Sequence, residues 1–223
     1  MESKLTKENL FLSTLPPVTR RAFGAIKDFP LLKTGGWYLA GGTALALQAG
    51  HRQSVDLDFF TAKKKFRETA LERNLLASGD WMTTFRQEGT VYGKFMGAKA
   101  SFISYPFFVP AQPFISCGTM RILQASDIAV MKIIAMSQRG RKRDFVDLYW
   151  YCKNREPLED VIARVPVQYP GQQHNIPHFI KSLTYFDDAD RDPMPKIFFK
   201  AEWNGIKRFF RKEAVAITKQ LLL

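Results

Sequence analysis

The chain is poor in the residues that usually build covalent or metal staples. Its 223 residues include two cysteines and three histidines, and 21 acidic side chains stand against 33 basic ones. Two thiols cannot make a disulfide framework, so Cys117 and Cys152 read as reduced cysteines. His51, His174 and His178 lack the spacing of a zinc site. No apolar run approaches the roughly 20 residues needed to span a membrane. The start, Met1-Glu2-Ser3-Lys4, is not followed by the apolar stretch of a secretory leader. The expectation is a cytoplasmic protein without a membrane partner. The shortage of acid leaves a formal net charge of +12. Such a field disfavours a cationic substrate and favours polyanions such as nucleotides and nucleic acid.

Apolar residues make up 46% and charged residues 24%, the balance of a globular protein. The length suits one large domain, or a core with an appended helical piece. The most informative stretch is Trp37-Tyr38-Leu39-Ala40-Gly41-Gly42-Thr43-Ala44-Leu45-Ala46-Leu47, continuing through His51 and Arg52 to Asp56-Leu57-Asp58-Phe59-Phe60. It reads as strand, double-glycine turn, short helix, basic turn and second strand. Glycines opening a helix offer bare backbone N–H groups to phosphate oxygens. Asp56 and Asp58, two apart on a strand, point to one face and can share Mg²⁺.

Around this module the patterning predicts helices near 6–28, divided by Pro16-Pro17, and a loop at Pro30 and Gly35-Gly36. A polar helix follows from about 63 to 78, with Phe66, Ala70 and Leu75 inward. Strands are predicted at 82–86, 90–96 and 100–109, the last bending or ending at Pro106, and at 120–123. Ser126 is expected to cap a helix with Asp127 in its first turn. From Ile128 to Met136 that helix is apolar on every side except for Lys132, and a buried lysine needs an anion. After the basic connection 138–143 a second helix places Asp144, Asp147, Leu148 and Tyr151 on one face. Asp147 is the expected partner of Lys132 if the two helices pack antiparallel. Beyond 155, prolines break the chain into short helices near 157–165 and 175–184 and an acidic loop at 187–190. A final amphipathic helix, 201–222, sets Trp203, Ile206, Phe209, Phe210, Val215 and Ile217 against a basic face.

Gly41-Gly42-Thr43 followed by Asp56-Leu57-Asp58 resembles the signature of DNA-polymerase-β-like nucleotidyltransferases. With Lys132 and Arg143-Asp144-Phe145-Val146-Asp147, and over residues 20 to 155, the chain resembles the AbiEii/AbiGii toxin family of type IV toxin–antitoxin and abortive-infection systems. The resemblance implies an α+β nucleotidyltransferase fold, a mixed sheet flanked by helices. Residues 1–125 would form the core and 126–223 a helical C-terminal part. It implies transfer of NMP from an NTP, with Mg²⁺ or Mn²⁺, to an acceptor hydroxyl such as the 3′ end of a tRNA, and a cognate antitoxin as partner. Carried over, Gly41, Gly42 and Thr43 would hold the triphosphate, and Asp56 and Asp58 the metals. Lys132 would meet the triphosphate, and Asp147 would hold the lysine or act as a base. Asp144 and Arg143 are supporting candidates. The third acid of this superfamily has no counterpart on the strand Ala100–Tyr105, which offers serines, and Glu88 is the nearest upstream acid. Two other readings use the same residues: a small-molecule, antibiotic-type nucleotidyltransferase, and a nucleotide-binding module without catalysis.

Overall fold

The computed structural model describes residues 10–171 and 175–222, with side chains through Gln220; residues 6–9 of the first expected helix, and His174, lie outside the described residues. A short 3₁₀ turn, Leu12–Thr14, leads through Pro16 into α1 (Pro17–Ile26), the break that the two prolines predict. The next segment corrects the expected loop. It forms α2 (Pro30–Gly35), with Pro30 in its first turn and Gly36 closing it in the left-handed region. β1 (Tyr38–Ala40), α3 (Gly41–Ala49) and β2 (Leu57–Thr61) follow as strand, helix and strand. α4 (Glu68–Leu76) is shorter than expected, and its inward residues are Leu71 and Leu75.

The sheet continues with β3 (Trp81–Gln87), β4 (Thr90–Phe95) and β5 (Ala98–Ser104), which ends before Pro106. β6 (Ile115–Cys117), which the patterning misses, pairs with β7 (Met120–Ile122). The order is β3-β4-β5-β2-β1-β7-β6. β1 lies antiparallel to β2 and parallel to β7, and β2 lies parallel to β5, so the sheet is mixed. Leu57, Phe59 and Thr61 face the core on β2, while Asp58 and Phe60 alternate to the other side.

All-helical chain follows from α5 (Ala125–Arg139) and α6 (Lys142–Asn154) through α7 (Leu158–Ala163), α8 (Val165–Gln168) and α9 (Ile176–Ser182). Two expectations fail here for local reasons. Ser126 lies inside α5, whose N-cap is Gln124; the Asp127 carboxylate accepts bonds from the Ala111 and Gln112 backbone N–H groups and from Gln168. The acidic loop is instead a short helix, α10 (Asp187–Arg191), because three carboxylates in a first turn suit its dipole. In α11 (Trp203–Leu222), Ile206, Phe210, Ala214 and Ile217 are buried, whereas Val215 faces solvent. Phe210 packs edge-on against Phe145 of α6, fixing α11 to the helix that carries Asp144 and Asp147.

Gly93 of β4 admits the Trp81 indole of β3 onto its backbone. A Cβ there would overlap that ring and stand 2.5 Å from the Met82 carbonyl. Gly93→Ala should therefore lower stability by about 1–3 kcal/mol, through overpacking. Gly24→Ala, in open space on α1, should be neutral or stabilising by up to about 1 kcal/mol. Equilibrium urea unfolding of both variants checks the pair.

Candidate active site

The strand-to-helix turn and the second strand meet because β1 and β2 are neighbours: Ala40 pairs with Asp58. Gly41, immediately after, adopts φ +68°, a left-handed conformation that glycine tolerates. A Cβ on it would stand 3.1 Å from Asp58 Oδ2. α3 starts here, and its first-turn N–H groups lack intrahelical partners. Asp56 precedes β2 instead of lying within it, but its loop is pinned. Thr43 Oγ1 donates to the Asp56 carbonyl, Thr19 Oγ1 donates to the Val55 carbonyl at 3.1 Å, and the Ser54 N–H donates to the Thr14 carbonyl at 3.0 Å. The buried Thr43 hydroxyl thus fixes the acid-bearing loop and lies 2.9 Å from Ser54 Oγ.

Across β5, Ser101 pairs with Asp58 in parallel register, and its hydroxyl donates to Asp58 Oδ1 at 2.7 Å. A serine therefore stands on the strand and at the register where a third acid is expected. Arg143 Nη1 lies 3.1 Å from Asp56 Oδ2. Burial raises the Asp58 carboxyl above its usual range and the Asp56 charge adds to this, while the Ser101 hydrogen bond and the charges of Arg143 and Lys132 oppose it. Two carboxylates in one mouth, one of them short of compensating charge, form a donor set for a hard divalent cation. Mg²⁺ is commonly held by one or two carboxylates, with waters and substrate phosphates completing the shell. Among the described residues no group of three or more His, Cys, Asp or Glu side chains converges on one point.

Beneath the mouth lies a buried ion network. Lys132 Nζ is 2.6 Å from Asp144 Oδ1 and 2.6 Å from Asp147 Oδ2, so the two helices pair through both acids. Asp147 also accepts from Arg52 Nε at 2.5 Å and Nη2 at 2.8 Å, and from His51 Nε2 at 2.7 Å. Burial pushes the Asp147 carboxyl up, but the charges of Arg52 and Lys132 and the hydrogen bonds of Arg52 and His51 hold it well below its usual value. The patterning treats His51-Arg52 only as a basic turn and so misses both residues. No local pattern marks Arg52; only in the fold does Gly42 prove coupled to it, since a Cβ at that position would run into the guanidinium, which lies against the glycine backbone.

The mouth opens into a cleft of about 1060 Å³. Its floor is the β2-β5-β4 side of the sheet, with Asp56, Asp58, Ser101, Tyr92, Lys94 and Lys99. Its far wall carries Arg139, Arg141, Arg143 and the segment 191–196. That wall is stitched to the acid loop. Gln53 N–H donates to the Lys196 carbonyl and Phe198 N–H to the His51 carbonyl, both at 2.8 Å. Asp192 accepts from Arg141 Nε at 2.8 Å and from the Lys142 N–H at 3.1 Å.

Lys132→Met leaves Asp144 buried without its close cation and should cost about 3–5 kcal/mol in urea unfolding. His51 donates from Nε2, leaving a buried Nδ1 without a partner, and burial lowers its pKa below 6.5. As pH falls through 6.5 the unfolded histidine takes up a proton that the folded one refuses, so stability falls. The slope approaches about 1.4 kcal/mol per pH unit. His51→Gln should flatten this part of the stability–pH profile, measured as the difference from the parent protein.

Residues 31–94 and 101–216 match the family described as "Nucleotidyl transferase AbiEii toxin, Type IV TA system". An uncharacterized protein of Aquifex aeolicus (strain VF5) is 33% identical over 182 residues, covering 79% of this chain and 85% of its own. Among solved structures, MenT4, a nucleotidyltransferase toxin from Mycobacterium tuberculosis H37Rv, superposes with a TM-score of 0.49 at 15% identity, over 91% of this chain and 86% of that one. The Megavirus polyadenylate synthase gives 0.43 at 14% identity, over 70% of this chain and 32% of that one. No described helix is long and apolar enough to cross a membrane. With a family match over most of its length and a relative at one-third identity, the chain belongs to the AbiEii nucleotidyltransferase toxin family of type IV toxin–antitoxin systems.

Proposed function

We propose that this nucleotidyltransferase moves a nucleoside monophosphate from an NTP onto the terminal hydroxyl of an RNA, a tRNA 3′ end being the first substrate to test, and that a cognate antitoxin restrains it. The observation that carries this reading is the Gly41–Asp58–Asp56 mouth at the floor of a cleft lined by eight cationic side chains and four carboxylates. Such a surface receives two polyanions, a triphosphate and an RNA backbone, and opposes a cationic antibiotic.

In this reading the first-turn N–H groups of α3 receive the triphosphate oxygens, helped by the helix dipole. Asp56 and Asp58 would hold Mg²⁺ or Mn²⁺, which when bound supplies charge neutralisation at the phosphates and a lowered pKa at the attacking hydroxyl. Ser101 orients Asp58 through its 2.7 Å bond. Arg143 sits on the exposed rim and is available to phosphate oxygens once a cation replaces it beside Asp56. Lys132 and Asp147 act from beneath the floor. Lys132 is 5% exposed and paired with two acids, and its charge is felt at Asp58. Asp147, with both oxygens occupied, holds Lys132 and Arg52 in place instead of serving as a base. Positioning and electrostatic stabilisation carry such a transfer.

Incubation with each of the four α-labelled NTPs, Mg²⁺ and total tRNA should label RNA. Asp58→Ala should reduce labelling by at least about 100-fold, the scale of losing one transition-state contact. Label appearing only on small hydroxyl compounds would refute the RNA acceptor. Binding of NTP without transfer to any acceptor would refute the transfer reading.

A further inference from the structure

From the acids an ordered row crosses the sheet, lining the cleft as far as Tyr92 and running on to Phe85 of the edge strand β3. Asp58 pairs with Ser101, Ser101 with Tyr92, and Tyr92 with Phe85, so four side chains on one face step across β2, β5, β4 and β3. The last step depends on an irregularity. The β3–β4 register shifts between Thr83 and Phe85, leaving Thr84 as an extra residue. Without that bulge Thr84 would stand opposite Tyr92, and Phe85 would turn to the other face. The bulge re-aims Phe85 beside Tyr92, with ring centroids 5.7 Å apart and planes at 30°. Both rings are open to solvent, Tyr92 at 40% and Phe85 at 46%.

The adjacent row is cationic. Lys94 pairs directly with Lys99, and both line the cleft. Like charges facing each other across strands repel, and among the described residues neither has an ion-pair partner. Two exposed rings beside an uncompensated lysine pair on the same sheet face match the chemistry of single-stranded nucleic acid, in which bases stack and phosphates pair with cations.

We propose that Tyr92 and Phe85 form a stacking platform for the unpaired bases next to the acceptor hydroxyl, with Lys94 and Lys99 on the adjoining phosphates. This rests on the RNA-acceptor reading above. The distances suit it: at a strand spacing of about 4.8 Å, Tyr92 lies roughly 10 Å and Phe85 roughly 14 Å from Asp58 along the row. An unstacked single strand whose terminal hydroxyl sits at the acids spans these distances within its last few nucleotides. A double helix keeps its bases stacked on one another, so the platform selects a splayed single-stranded end.

The test is equilibrium binding of a short unstructured RNA oligonucleotide by fluorescence anisotropy, with NTP binding and thermal melting measured on the same proteins. Tyr92→Ala and Phe85→Ala should each weaken RNA binding by about 5- to 150-fold, the range for loss of one stacked base. NTP affinity should be unchanged. Tyr92→Phe, which keeps the ring, should bind RNA like the parent. Tyr92→Leu, which keeps bulk without the ring, should lose RNA affinity at an unchanged melting temperature. Lost NTP affinity with intact RNA binding would overturn the proposal by placing the incoming base on the rings. So would equal RNA binding by all variants while the parent still labels RNA. A parent protein that neither binds the oligonucleotide nor labels RNA would overturn the acceptor reading itself, and the platform with it.

Discussion

The site depends on one buried carboxylate. Asp147 gathers Arg52, His51 and Lys132, which come from two separate elements besides its own. Through Arg52 and His51 it fixes the segment between α3 and β2, and that segment delivers Asp56. Through Lys132 it ties α6 to α5. One charge surrounded by two cations and a neutral ring is stable in a low-dielectric interior only while all partners remain. The geometry is therefore cooperative: the acid loop, the α3 turn and the helical wall are held together.

Gly42 shows how tightly the network and the mouth are built into each other. The sequence marks it as a phosphate-facing glycine, yet its missing side chain also makes room for the Arg52 guanidinium. Likewise Thr43 spends its hydroxyl on the Asp56 carbonyl. These glycine and threonine positions thus shape the acid loop as well as the helix start. The backbone N–H groups remain the part of the motif that faces a ligand.

Much of this was legible in the sequence, and the illegible part has a common cause. The strand-turn-helix at 38–49, the α5 and α6 pair and the Lys132–Asp147 contact follow from local periodicity and from the need of a buried lysine for an anion. Asp144 as a second partner of Lys132 was visible only as a residue on the shared face. Arg52 was not legible, because an arginine in a turn looks solvated until the fold places an acid over it. The Tyr92–Phe85 row was equally hidden. Alternation assigns faces along one strand, whereas the bulge at Thr84 that reverses the face of Phe85 belongs to the pairing between two. α2 is not legible because its proline and glycines signal a turn as readily as the start and end of a short helix.

A hydroxyl at Ser101, where the resemblance leads one to expect an acid, sets the charge balance of the mouth. A third acid opposite Asp58 would set three negative charges at the mouth, where Arg143 already pairs with Asp56. With a hydroxyl there, Asp58 keeps a hydrogen bond that favours its charged form without another anion raising its pKa further. Arg143 closes the mouth on Asp56, while Asp58 is held by the neutral Ser101 hydroxyl. Arg143 thus bridges the acid mouth and the cleft wall, which faces Tyr92, Lys94 and Lys99 of the sheet.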